Sequence, residues 1–70
     1  MTNPFLKIRK ELNITRDELS AMAKIPQGSL SHYERGTRHP LVAIAFKVIK
    51  FAAKHGIEIK LHEFYEDLRG

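Results

Sequence analysis

Two short helical patterns with only three residues between them constrain this chain more than any other feature. Thr15-Arg16-Asp17-Glu18 is a capping box: the Thr15 hydroxyl can accept from the amide three residues on, and Glu18 can reach back to the Thr15 amide. The helix that follows turns Leu19, Met22 and Ala23 inward. A second pattern runs from about Gln27 to Arg35 with Leu30 and Tyr33 inward. It begins just after Pro26, which can open a helix but not sit inside one. Gly36 supplies the positive φ that stops it. With only Lys24 to Pro26 left as a connection, the two helices must meet at a steep angle.

The flanking segments read as further helices. Asn3 can cap and Pro4 suits a first turn, after which Phe5, Ile8 and Leu12 recur at helical spacing until Asn13, a residue that tolerates the left-handed conformation. Pro40 begins a fourth helix that continues to about Lys54 and ends at Gly56. It has two apolar stripes, Val42/Ala45/Ile49/Ala52 and Leu41/Ile44/Val48/Phe51, with Lys47, Lys50 and Lys54 as its wet edge. One stripe faces the core and the other needs a second cover. In the tail, Ile57, Ile59 and Leu61 alternate like a strand, whereas Leu61, Phe64, Tyr65 and Leu68 have the spacing of a short amphipathic helix, read here as a fifth helix over about 61 to 68.

Seventy residues suffice for one core, so residues 1–70 are expected to form a single domain, with the tail from 57 to 70 covering helix 4. The chain has no cysteine, which excludes disulfides and thiolate metal sites. The longest apolar run, Leu41 to Phe46, is too short to span a bilayer, and the charged start has no apolar signal core, so a cytoplasmic location is expected. The formal net charge is +4, unevenly distributed. Ten of the twelve Lys and Arg precede Ile57, against four of the eight acidic residues, so the tail is a poor candidate for contact with a polyanion.

Little in the chain suggests catalysis. His62-Glu63-Phe64-Tyr65-Glu66 begins like a helical zinc site but has Glu where the second histidine is required, so no metal is expected. No serine sits in a glycine-flanked nucleophile turn, and a small helical bundle has no cleft deep enough to exclude water. Neither an enzymatic activity nor a cofactor nor a small-molecule substrate is expected.

The run from Ile8-Arg9 through Leu12-Asn13-Ile14-Thr15-Arg16-Asp17-Glu18-Leu19-Ser20 and Ile25-Pro26-Gln27-Gly28-Ser29-Leu30-Ser31-His32-Tyr33-Glu34-Arg35-Gly36 to Pro40 resembles the Cro/lambda-repressor-type helix-turn-helix family, also called the XRE family. The resemblance covers residues 5 to 54 and, more loosely, the tail. It implies an all-α, lambda-repressor-like DNA-binding domain of five short helices, with helices 2 and 3 as the helix-turn-helix and helix 3 entering the major groove. By the same resemblance Gln27, Gly28, Ser29, Ser31 and His32 read bases, while Arg16, Arg35, Arg38 and His39 hold phosphates. Arg9 and Glu34 match an ion pair that ties helix 1 to helix 3. Three departures stand out. Lys24 occupies the usual glycine of the turn, Pro26 replaces the Ser or Thr cap of helix 3, and Gly28 removes a side chain from a reading position.

The expected partner is double-stranded DNA. The leading reading is a phage or prophage Cro/repressor-like transcriptional regulator that binds a palindromic operator as a homodimer, with Phe51, Phe64, Tyr65 and Leu68 as dimer candidates. The rival reading is an antitoxin or operon autorepressor whose tail binds a partner protein.

Overall fold

Three helices in succession stop at a residue in the left-handed conformation: Asn13 at φ 55°, Lys24 at φ 59° and Gly36 at φ 75°. The computed structural model, which describes residues 3–65, has helices α1 (Pro4–Leu12), α2 (Arg16–Ala23), α3 (Gln27–Arg35) and α4 (Val42–Lys54), followed by a 3₁₀ turn over Leu61–Phe64. The described residues are all-helical, with no strand. The Asn3 side chain caps α1 by accepting from the amides of Phe5 and Leu6. At α2 both halves of the capping box are made: Thr15 Oγ1 accepts from the Glu18 amide at 3.1 Å, and Glu18 Oε1 accepts from the Thr15 amide at 2.8 Å.

The connection from α2 to α3 keeps its tight geometry although Lys24, not glycine, adopts the left-handed turn, at a cost of about 1 kcal/mol. Opposing that cost, Ile25 is buried, and Ser20 closes the turn twice. The Ser20 hydroxyl donates to the Ile25 carbonyl at 2.5 Å, and the Ile25 amide donates to the Ser20 carbonyl at 3.0 Å. The Lys24 carbonyl in turn accepts from Lys47 Nζ of α4 at 3.0 Å.

One core joins all these elements. Phe5 and Ile8 of α1, Leu19 and Ala23 of α2, Leu30 and Tyr33 of α3, and Ala45, Val48 and Ala52 of α4 are buried together with Ile25, Ile57, Ile59 and Phe64. The Phe5 ring stacks on Tyr33 and meets Phe64 edge-on, both at centroid distances of 5.4 Å. Burying each large side chain in this set is worth about 1.5–3 kcal/mol.

Several expectations change here. The fifth helix is, among the described residues, a single 3₁₀ turn, and the part expected beyond Tyr65 lies outside them, as does Leu68. Residues 57–60 are extended but pair with no strand in the described residues: Ile57 and Ile59 insert into the core while Glu58 and Lys60 stay exposed. The fourth helix starts at Val42 and not at Pro40, because Leu41 has extended backbone and the Pro40 carbonyl accepts from Tyr65 Oη at 2.8 Å. Met22 is 45% exposed: Leu19, Ala23 and Ile25 fill the inward positions and push it to the edge of α2. In α4 the centres of both apolar stripes face the core, and the uncovered ridge is Leu41, Val42 and Phe46, the last of which belonged to neither stripe.

Arg9 Nη1 lies 2.8 Å from Glu34 Oε1 and joins α1 to α3, with the Glu34 side chain only 6% exposed. Removing the cation alone strands a buried carboxylate. Arg9→Met should therefore lower the unfolding free energy by on the order of 2–3 kcal/mol, and adding Glu34→Leu should recover most of that loss. Chemical denaturation of the two single variants and the double variant measures the coupling; additive losses would mean the pair orients nothing.

Candidate nucleic-acid interface

Helix α3 has two opposite edges with different uses. Leu30 and Tyr33 point into the core, so the side chains at intervening positions are forced outward. Gln27, Gly28 and Arg35 are exposed, and Ser29, Ser31 and His32 are half-buried along the same outer edge. A nine-residue helix is about 13 Å long and, with its side chains, about 10–12 Å across, a width that the roughly 12 Å major groove admits.

The start of α3 is chemically open. Pro26 makes no side-chain cap, so among the described residues the amides of Gln27, Gly28 and Ser29 donate to nothing, while the Leu30 amide already bonds the Pro26 carbonyl at 2.9 Å. Gly28 adds no side chain there, and a Cβ built on it would meet nothing within 4 Å. Three free N–H groups at the positive end of a helix dipole suit a phosphate oxygen or a base acceptor. The sequence shows Pro26 in place of the usual cap; the row of unbonded donors is seen only in the structure.

Cations flank this edge unequally. Arg16, at the first position of α2, leans onto α3 and donates from Nη1 to Ser31 Oγ at 3.1 Å, while its Nε is buried without a partner. It is therefore held in place by the helix it flanks. Arg35 and Arg38 are exposed, with Arg35 Nε reaching back along α3 to the Ser31 carbonyl at 3.4 Å. His39 differs: its ring stacks on Tyr65 at a centroid distance of 6.3 Å, and its Nε2 is buried without a hydrogen-bond partner, so the ring belongs to the packing of the loop. Burial, with a smaller contribution from nearby Tyr33, raises the Tyr65 hydroxyl above its ordinary pKa, and the hydroxyl donates to the Pro40 carbonyl.

His32 is oriented by contacts that spacing alone does not reveal. Its Nδ1 lies 2.8 Å from Thr37 Oγ1, and that hydroxyl also donates to the His32 carbonyl at 3.3 Å. These contacts fix the orientation of the ring at the outer edge of α3. Asn3 is another residue with a second role, since its Nδ2 donates to the Tyr33 carbonyl at 2.9 Å and secures the C-terminal half of α3. Of the dimer candidates, Phe64 lies inside the core, Tyr65 is half-buried on its Pro40 bond, and Phe51 is half-buried against the His55 ring at 4.7 Å.

Among the described residues no group of three or more His, Asp and Glu could hold a metal ion, and no helix is long and apolar enough to cross a membrane. Comparison with known families matches the helix-turn-helix family over residues 6–55, which spans α2, α3, α4 and most of α1. The chain belongs to the Cro/lambda-repressor-type, or XRE, helix-turn-helix family and is a DNA-binding regulator of that type. Neither the curated proteins nor the solved structures include a match to it.

The open space around Gly28 separates stability from binding. Gly28→Ala should stabilise the free protein by about 0.5–1 kcal/mol, because alanine loses less backbone entropy in a helix. The added methyl should weaken DNA binding if the backbone of α3 approaches the duplex closely. Thermal melts and duplex titrations of the same variant check both signs; a variant that melts higher and binds equally well would remove Gly28 from the interface.

Proposed function

We propose that this protein is a transcriptional repressor of the phage or prophage Cro/repressor kind, acting in the cytoplasm as a homodimer on a palindromic operator. The observation that carries this reading is the outer edge of α3: Gln27, Gly28 and the half-buried Ser29, Ser31 and His32 occupy it, its first three amides are unbonded, and Arg16, Arg35 and Arg38 stand beside it. Gln27 can bond an adenine edge bidentately, and the His32 ring, held by Thr37, presents a ring nitrogen to the same groove. Arg16, Arg35 and Arg38 set the register on the phosphates without choosing a sequence. His39, turned into the loop packing, supports that loop.

Pairing of two copies would place both α3 helices in successive major grooves about 34 Å apart and exclude polymerase from the promoter. The uncovered ridge of Leu41, Val42 and Phe46, with Leu41 75% and Phe46 52% exposed, supports a second copy as its cover. The rival reading, an antitoxin or autorepressor that grips another protein with its tail, has less support among the described residues, where Phe64 is inside the core and Tyr65 is bonded to Pro40.

Titration of a labelled duplex from the promoter beside its own gene, against a random duplex at moderate salt, tests the reading. Gln27→Ala should cost about 1–3 kcal/mol on the operator and little on random DNA, while Arg35→Ala should weaken both alike. Equal losses from the two variants, or no preference for the promoter duplex, would overturn the assigned roles.

A further inference from the structure

A second surface of this molecule has charge and shape that the DNA-reading edge does not use. Between the C-terminal end of α2 and the flank of α4 lies a shallow groove of about 280 Å³, with Met22, Ala23 and Phe51 as its floor and Lys24, Lys47, Lys50 and Lys54 around it. No carboxylate lines it. The acidic side chains of the described residues are placed elsewhere: Asp17 and Glu18 at the far end of α2, Glu34 on Arg9, Glu11 and Glu63 around a hollow beside α1, and Glu58 beside the opposite flank of α4. Among the described residues the four ammonium groups are thus gathered without a counter-charge. One of them is fixed, because Lys47 Nζ donates to the Lys24 carbonyl.

The floor decides between ligands of the same charge. A phosphate backbone needs cations but gains nothing from an apolar floor, and a flat base needs an open aromatic face. Here two of the three floor residues are aliphatic, Met22 is left 45% exposed, and Phe51 is half-buried with its ring beside His55. Methionine adapts to apolar side chains of varied shape, which suits a protein ligand. Lys47 and Lys54 are seven residues apart, two helical turns or about 10 Å along α4, matching the acidic positions on a partner helix of similar length.

We propose that this groove docks an acidic amphipathic helix of a partner protein, its apolar face on Met22, Ala23 and Phe51 and its carboxylates among the four lysines. Docking there leaves the outer edge of α3 open, so a partner could engage the protein while it is on DNA. The mode is that of a helix laid in a groove, with the apolar strip giving affinity and the charges giving orientation and on-rate.

The test uses a fluorescein-labelled, four-turn peptide with leucines on one face and glutamates on the other, read by anisotropy at low salt and by amide NMR shifts. Saturable binding is expected, with the shifts centred on Met22, Lys24 and Phe51. The Lys50→Glu/Lys54→Glu variant should weaken binding about tenfold or more, a change of about 1.4 kcal/mol or more, while its melting temperature stays near that of the parent. A scrambled peptide of the same composition, which keeps the charge and loses the apolar face, should bind at least about tenfold more weakly. No saturable binding, equal binding of the scrambled peptide, an unchanged affinity in the charge-reversed variant, or shifts centred on Gln27 to His32 would each overturn the proposal. So would a duplex, or a second copy of the protein at high concentration, producing the groove shifts in place of the peptide.

Discussion

The two hydrogen bonds exchanged between Ser20 and Ile25 set the geometry on which the rest of the molecule depends. They close a turn whose third member, Lys24, occupies a backbone conformation that a lysine reaches only at a cost, and they do so over a buried Ile25 side chain. Because the turn is fixed, the angle between α2 and α3 is fixed, and with it the separation of Arg16 from the outer edge of α3. The Arg16 contact with Ser31 and the Arg9–Glu34 pair then hold α3 from both sides. The outer edge of α3 is thus carried on a fixed support, to which only Ser31, through Arg16, contributes a side-chain contact across helices.

The same economy explains the start of α3. A capped helix would satisfy its first amides internally, adding about 1 kcal/mol of stability. This chain leaves three donors unbonded beside a glycine and relies on Leu30, Tyr33 and the Asn3 contact to hold the helix in place. Stability is thus drawn from the inner edge and the ends of neighbouring elements, and the outer edge is left to a ligand. The electrostatics follow the same division, since the Glu18 carboxylate serves in a capping box and that of Glu34 as the Arg9 partner.

Local chemistry made much of this legible in the sequence. Asn3, Thr15 with Glu18, and Gly36 each satisfy backbone groups within a few residues of themselves, so their roles do not depend on the rest of the fold, and they mark α1, α2 and α3 closely. The outward edge of α3 followed from the inward spacing of Leu30 and Tyr33. What failed was decided by tertiary competition. Met22 lost its inward place to Ile25, Phe46 fell outside both stripes because burial on α4 centres on Ala45, Val48 and Ala52, and Phe64 entered the core beside Phe5. The hydrogen bond from Tyr65 to Pro40, which delays the start of α4, joins residues far apart in sequence and leaves no periodic signal. The stacking of His39, which the family resemblance placed on phosphate, is hidden for the same reason: it depends on Tyr65.

Amide hydrogen exchange reads the backbone donors at the start of α3, which are unbonded in the free protein and which bound DNA should cover. In the absence of DNA the amides of Gln27, Gly28 and Ser29 should exchange as rapidly as exposed backbone, while that of Leu30 is protected. On adding the promoter duplex those three should slow together with the rest of the outer edge of α3. If they remain fast while protection appears on the Leu41, Val42 and Phe46 ridge or along the lysine groove, DNA binds elsewhere and the assignment of α3 as the reading helix is wrong.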